Sequence, residues 1–97
     1  MAYEIRETIV FKKWFSKLKD RQGKIRILAR LSRVESGNFG DHKKLKNTQN
    51  LYELRFDFGP EYRIYYTIQN EIIVLLLVGG NKSSQPEDLK KAQALMG

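Results

Sequence analysis

The stretch LYELRFDFGPEYRIYY, residues 51–66, decides the fold. Its side chains alternate in character, as they do in a β-strand whose successive residues point to opposite faces of a sheet. Gly59 and Pro60 favour a turn in the middle, so the sequence predicts a β-hairpin over 51–68. One face of this hairpin is apolar and includes Leu54, Phe56, Ile64 and Tyr66. The other face is polar and includes Glu53, Arg55, Arg63 and Tyr65.

Two helices are predicted before the hairpin. A short strand over 3–6 leads into a helix that Thr8 caps, and the apolar side of this helix carries Phe11, Trp14, Phe15 and Leu18. Residues 20–23 break the pattern, and a second helix is expected from about 24 to 36, ending at Gly37. Its expected inward positions are Ile25, Leu28, Leu31 and Val34, with Arg26, Arg30 and Arg33 mostly outward.

The remaining segments complete an α+β domain. Residues 38–50 are polar and predict a loop, or a loop with a short strand around Leu45. Residues 71–78 predict a central strand because they are apolar on both faces, and Ser84 with Glu87 predicts a capping box that opens a final helix. The order β-α-α-β-β-β-α predicts one domain over 1–97, an antiparallel sheet with the helical hairpin packed on one face and a short C-terminal helix.

The charge is concentrated in the first half of the chain. The formal net charge is +7, and residues 1–50 hold thirteen Lys and Arg against five Asp and Glu, whereas residues 51–97 hold five against six. Such one-sided charge favours a polyanionic partner, most simply nucleic acid, although solubility or an acidic protein partner also accounts for it.

The composition narrows the chemistry and the compartment. The chain has no cysteine and one histidine, so disulfides, thiolate metal sites and histidine clusters are excluded. The first ten residues carry regularly spaced charges and do not resemble a secretion signal, and the apolar run at 72–78 is too short to cross a bilayer. The expected compartment is therefore the cytoplasm, with no membrane partner.

The polar hairpin face provides the first candidate site residues. Side chains on one face of neighbouring antiparallel strands lie within about 5 to 8 Å, so Arg55 and Arg63 can converge on one anion. The alternative is cross-strand ion pairing of these arginines with Glu53 or Asp57.

Further candidates lie beside that face. Lys82 follows Gly79-Gly80-Asn81, where a side chain can point over the end of the sheet, but it can equally be a solvated loop lysine. His42, Lys43, Lys44 and Lys46 can grip a phosphate backbone or be only a solvated loop. Tyr65 is a candidate for stacking on bases, whereas Tyr52 has the parity of the apolar face and is interpreted as packing.

The chain resembles the RelE/ParE toxin superfamily, and within it the HigB-like subgroup of addiction module killer proteins. The resemblance covers nearly the whole chain. It rests on T-x-x-F-x-x-W-F in the first helix, N-F-G-D after the second, L-Y-E-L-R, G-P-x-Y-R-I-Y-Y, and L-L-L-x-G-G-N-K-S-S-Q before the last helix.

This resemblance implies a type II toxin that cuts messenger RNA on the ribosome without a metal or a small-molecule cofactor. The ribose 2′-hydroxyl attacks the adjacent phosphate, and an antitoxin, expected to be a small helix-turn-helix protein, holds the toxin inactive. Arg63 matches the family's phosphate-stabilising arginine and Arg55 a basic position. Glu53 lies where some members use a lysine and others a glutamate base.

The match departs from the family near the final helix. Active members usually place a tyrosine or histidine there, and SSQPEDLKKA has neither. Lys82 is the nearest candidate for that role, with His42 a second if its loop folds over the groove. Gyrase poisons of the same superfamily, and a non-catalytic RNA-binding member, are the alternatives to an endoribonuclease.

Overall fold

One mixed sheet organises the chain in the computed structural model, which describes residues 2–96. Within these residues the strands are β1 (Glu4–Glu7), β2 (His42–Lys44), β3 (Tyr52–Arg55), β4 (Tyr62–Gln69) and β5 (Ile73–Asn81). The helices are α1 (Ile9–Lys17), α2 (Arg21–Glu35) and α3 (Gln85–Leu95), and a 3-10 turn at Lys82–Ser84 precedes α3. The spatial order is β1-β5-β4-β3-β2, with β1 parallel to β5 and the other pairs antiparallel. The α+β fold class is confirmed. The short strand β2 lies just before the position expected for it, and the parallel pairing of β1 was not predicted.

Helices α1 and α2 cover the apolar face of the hairpin, as predicted. Thr8 caps α1 by accepting a 3.0 Å hydrogen bond from the amide of Phe11, and its own hydroxyl donates to the carbonyl of Leu77 at 2.6 Å. The buried core on this face is made of side chains from both helices and from the sheet, including Phe11, Ile27, Leu31, Val34, Leu54, Phe56, Ile64 and Tyr66. Tyr52 stacks on Tyr66 with ring centroids 5.3 Å apart, which confirms its packing role.

Helix α2 begins earlier than predicted and buries a different stripe. Asp20 accepts a 2.9 Å hydrogen bond from the amide of Gly23, so the predicted break at 20–23 is instead the N-cap and first turn of the helix. The buried positions are Gly23, Ile27, Leu31 and Val34. Ile25 and Leu28, which were expected to face inward, are 62% and 54% exposed.

Helix α3 packs on the opposite face of the sheet. There Leu51, Tyr65, Leu77, Val78 and Ala92 form a second buried cluster. The polar face of the hairpin is therefore not an open surface, because α3 covers β4 and β5 and leaves a groove beside β2 and β3.

The end of β5 is shaped by close packing on both faces. A Cβ atom at Gly79 would overlap the indole of Trp14, and one at Gly80 would overlap the carboxylate of Asp88 and crowd the hydroxyl of Ser84. These glycines therefore admit side chains from the two helical layers. They do not interrupt β5, which continues to Asn81.

The turn that leads into α3 differs from the prediction in its capping. Asn81 and Ser84 form the capping box, around the 3-10 turn, and Ser84 makes no side-chain cap to α3. The hydroxyl of Ser84 instead donates to Asp88 Oδ2 at 2.5 Å. No helix in the described part of the chain is long and apolar enough to cross a lipid bilayer.

Candidate active site

A groove of about 630 Å³ lies between the β2–β3 edge of the sheet and the start of α3. We call it the α3 groove. It is lined by Lys43, Leu45, Glu53, Lys82, Ser83, Gln85, Pro86 and Leu89. A lysine stands on each side, one from β2 and one from the 3-10 turn, so the groove favours an anionic ligand.

Glu53 lies at the floor of the α3 groove. It is only 2% exposed, and the amide of Gln85 donates a 2.7 Å hydrogen bond to its Oε2 atom. The same oxygen lies 4.0 Å from Nε of Arg63. A nearly buried carboxylate with one hydrogen bond and one distant cation still has free acceptor capacity, which is what a proton acceptor needs.

Arg63 is buried behind Glu53, and its guanidinium holds the β3–β4 turn. Nη1 lies within hydrogen-bonding distance of the carbonyls of Phe56, Glu61 and Tyr62, at 3.4, 3.2 and 3.1 Å. Nε has no hydrogen-bond partner among the described residues. Arg63 therefore has a structural role that its predicted place on an open polar face did not indicate, and its Nε donor stays free.

Tyr65 does not have the exposure that base stacking requires. It is fully buried under α3, opposite Glu53 in the β3–β4 register, and burial raises its pKa to about 12. Its hydroxyl has no hydrogen-bond partner within residues 2–96. The prediction of an exposed stacking ring is wrong because the sequence did not show that α3 would cover this face.

Arg55 is directly opposite Arg63 in the register, yet the two guanidinium groups do not share a partner. Nε and Nη2 of Arg55 donate to Oδ1 of Asp41, at 3.1 and 2.9 Å, at the β2 edge of the sheet. The predicted convergence on one anion is not seen in this structure, and neither is a pairing of Arg55 with Glu53 or Asp57.

Lys82 reaches the rim of the α3 groove from the 3-10 turn. Its side chain is 64% exposed, and Nζ lies 3.8 Å from Oε2 of Glu61. The same glutamate has its Oε1 atom 3.8 Å from Nη2 of Arg63. Lys82 and Arg63 are therefore brought together by the carboxylate of Glu61, which was not among the predicted site residues.

The basic residues of the 42–46 segment are divided between the two faces of the sheet. Lys43 lies opposite Glu53 in the β2–β3 register, and it lines the α3 groove. Lys44 lies opposite Tyr52 in the same register and therefore on the other face of the sheet. Lys46 is exposed in the turn after β2. His42 packs on Phe39 at 5.3 Å and bonds the carbonyl of Gly40 at 2.9 Å, away from the groove.

Two residues of this site were missed in the sequence. Gln85 has no recognisable signal in the sequence, because its partner Glu53 is 32 residues away. Glu61 follows Gly59-Pro60 and has a positive φ of 59°. A turn allows this conformation, but a glutamate in the sequence does not predict it.

The side chains of the α3 groove can accept a proton next to a bound anionic group. Glu53 can accept a proton, Lys43 and Lys82 can hold a negatively charged group, and Arg63 adds a donor behind them. Among residues 2–96, no three His, Asp or Glu side chains lie close enough together to hold a metal ion.

Comparison with known structures identifies the fold as that of the RelE toxins. A mutant of the E. coli toxin RelE in the free state superimposes with a TM-score of 0.72 at 20% identity, over 94% of this chain and 98% of that one. The toxin-antitoxin complex RelBE2 from Mycobacterium tuberculosis gives 0.68 at 19% identity, over 84% and 100%. The intact E. coli RelBE toxin-antitoxin complex gives 0.65 at 20% identity, over 82% and 96%.

The sequence itself places the chain in a family. Residues 13–96 match the family described as phage derived protein Gp49-like, and the chain belongs to that family. An uncharacterized protein of Haemophilus influenzae is 44% identical over 95 residues, which cover 98% of this chain and 94% of that protein.

Proposed function

We propose that this chain is the toxin of a type II toxin-antitoxin module and that it cuts messenger RNA on the ribosome without a metal. The observation that carries the proposal is the position of Glu53, nearly buried at the floor of a lysine-flanked groove and 4.0 Å from a buried arginine. The RelE fold and the HigB-like sequence motifs support the same assignment. Since the solved relatives include toxin-antitoxin complexes, we also propose an antitoxin partner, a small helix-turn-helix protein.

In this proposal each groove residue has a defined role. Glu53 accepts the proton of the ribose 2′-hydroxyl as that oxygen attacks the adjacent phosphorus, and the bond to the 5′-oxygen breaks. Lys43 and Lys82 hold the RNA backbone, and Arg63 offsets the charge that gathers on the phosphate oxygens in the transition state. Lys82 lines the groove and is the candidate proton donor to the leaving oxygen. Arg55 is paired with Asp41 at the β2 edge of the sheet and does not line the α3 groove, so it has no direct role in this proposal.

The reaction class is tested by inducing the protein in cells, with translation active or blocked. We expect transcripts to be cut within codons only while they are translated. Damaged DNA with intact transcripts would support a gyrase poison instead. Intact transcripts and intact DNA, with RNA bound, would support a non-catalytic family member.

The role of Glu53 is tested with Glu53→Gln and with Glu87→Gln as a matched control. The first change keeps the size of the side chain and an oxygen that can accept from Gln85, but it removes the base. We expect purified E53Q to cleave ribosome-bound RNA about 10² to 10⁴ times more slowly, the usual contribution of a positioned base. Glu87 is exposed in the first turn of α3, and E87Q should retain wild-type cleavage. A folded E53Q protein with full activity would remove Glu53 from the mechanism.

A further inference from the structure

Glu61 has an unusual backbone conformation at the edge of the α3 groove. Its φ angle is 59°, in the left-handed region that a residue with a side chain rarely adopts. The conformation is fixed by two hydrogen bonds to its carbonyl, one from Nη1 of Arg63 at 3.2 Å and one from the amide of Lys82 at 3.0 Å. The turn is therefore anchored through its backbone, and the carboxylate is not needed to hold it.

The carboxylate of Glu61 lies between two cations. Oε1 is 3.8 Å from Nη2 of Arg63, and Oε2 is 3.8 Å from Nζ of Lys82. Both distances exceed the 2.7 to 2.9 Å that is typical of a charge-assisted hydrogen bond, and the Glu61 side chain is 45% exposed. One loosely held carboxylate thus lies between two positive groups and offsets only part of their charge.

We propose that Glu61 is an internal competitor for phosphate and that its carboxylate occupies an anion site made by Arg63 and Lys82. A phosphodiester has two free oxygens, each of which can take the place of one Glu61 oxygen. Arg63 would stay in position, because Nη1 is held by the turn carbonyls. Only the exposed side chain of Glu61 has to rotate away. This inference rests on the proposed function in one respect, namely that the phosphate belongs to RNA.

The protein contains a matched control for Glu61. Glu71, in the turn between β4 and β5, is also a glutamate with a positive φ, at 63°, and it is exposed. No ion pair to Glu71 is found among residues 2–96, whereas Glu61 is paired with both Arg63 and Lys82. Substitutions at 61 and 71 therefore remove the same charge at a turn position with positive φ, but only those at 61 remove a carboxylate that lies between two cations.

The experiment measures binding of a short oligoribonucleotide whose 2′-hydroxyls are methylated, and of inorganic phosphate, to E61Q, E61G, E71Q and E71G. We expect E61Q and E61G to bind both ligands about three to ten times more tightly, as weak competing ion pairs are removed. E71Q and E71G should bind within about twofold of wild type, because a distant surface charge is screened. Equal effects at the two positions, or unchanged binding in E61Q and E61G, would overturn the proposal.

The binding readout is separate from the test of cleavage. Tighter binding by E61Q in a protein that cuts no RNA would keep the anion site and reject the endoribonuclease. Translation-dependent cleavage by wild type, with equal binding by the 61 and 71 variants, would keep the endoribonuclease and reject the anion site. Weaker binding and lower stability in E61Q would make Glu61 a structural ion-pair partner, which also overturns the proposal.

Discussion

Gln85 Nε2 donates a 2.7 Å hydrogen bond to Glu53 Oε2, and this bond joins the start of α3 to strand β3. It is the direct link between the helix that covers the polar face and the carboxylate at the floor of the groove. If Glu53 is the base, Gln85 orients it, because the bond fixes which oxygen remains free.

Gln85→Ala should therefore affect both stability and catalysis. Removing the donor leaves a nearly buried carboxylate with fewer partners, which costs about 1 to 3 kcal/mol of unfolding free energy. We expect kcat to fall on the order of tenfold with little change in KM, because the base loses its fixed position. Urea unfolding and single-turnover cleavage measure the two effects.

The control for Gln85 is Gln93→Ala, at an exposed position of the same helix. It should leave both quantities unchanged. Gln85→Asn, which keeps an amide but shortens its reach, should be intermediate in kcat. A Gln85→Ala protein with reduced stability but wild-type kcat would assign Gln85 to the scaffold alone.

Arg63 and Arg55 provide a second matched comparison, since they are directly opposite in the register. Arg63→Ala should cost about 3 kcal/mol of unfolding free energy, because three turn carbonyls lose a buried charged donor. Arg55→Ala should cost under about 1 kcal/mol, because its pair with Asp41 is partly exposed. Equal losses in chemical denaturation would contradict the structural role of Arg63. Toxicity of Arg63 variants should be compared only at a temperature where each is folded.

The sequence predicted the sheet well because its patterns are local. Strand alternation over 51–66 identified both faces of the hairpin, and the capping role of Thr8 followed from its position before an apolar helix. Helix α2 was harder, because its apolar residues support two overlapping stripes. The stripe that is buried includes Gly23, whose missing side chain lets the helix approach Tyr62, and periodicity alone does not reveal such an approach.

The site was predicted only in part, for reasons of tertiary contact. Glu53, Lys43 and Lys82 do line one groove. The partners of Arg55 and Arg63 depend on where the loops at 41 and 56–61 return to the sheet, which no strand pattern specifies. The contact between Tyr65 and α3 is equally non-local. Because α3 packs there, part of the polar strand face is buried in the interior of the protein.

The close packing of Trp14 on Gly79 predicts a large effect from a single methyl group. Gly79→Ala should cost about 1 to 3 kcal/mol, because the added atom would overlap the indole and force it to move. In the double variant with Trp14→Leu the loss should be smaller than the sum of the two single losses. Gly80→Ala faces the other layer and should show no such coupling with Trp14→Leu. Thermal unfolding of the three single variants and the two double variants tests this.

The Asp20–Tyr62 hydrogen bond, at 2.8 Å, predicts pH dependence at both ends of the scale. The bond from the Gly23 amide, and then the one from Tyr62, hold the pKa of Asp20 below its usual 3.8. The stability that Asp20 contributes is therefore complete above pH 3.8 and is lost as pH falls through the lowered folded value. Asp20→Asn keeps an acceptor for the cap, so its stability should converge with that of wild type in acid.

At the alkaline end, burial and then the bond to Asp20 raise the pKa of Tyr62 from 10.0 to about 12. The contribution of Tyr62 is complete below pH 10 and is lost as pH rises through about 12. Tyr62→Phe removes this dependence, so its urea midpoint relative to wild type should improve over that range. Parallel stability curves for wild type and Tyr62→Phe up to pH 12 would contradict the assignment.

Lys43 and Lys44 are adjacent in β2 but lie on opposite faces of the sheet, and this makes them a sharp test of where RNA binds. Lys43 lies opposite Glu53 in the β2–β3 register and lines the α3 groove. Lys44 lies opposite Tyr52, on the face that α1 and α2 cover. Both are exposed lysines of the same strand, so Lys43→Ala and Lys44→Ala remove the same charge. If the RNA backbone runs through the groove, Lys43→Ala should weaken binding of a non-cleavable oligoribonucleotide and reduce the slope of log K against log salt by about one. Lys44→Ala should leave that slope unchanged. Titrations at several salt concentrations measure it, and equal slopes for the two variants would mean that the lysines act only through net charge and that the α3 groove is not the path of the RNA.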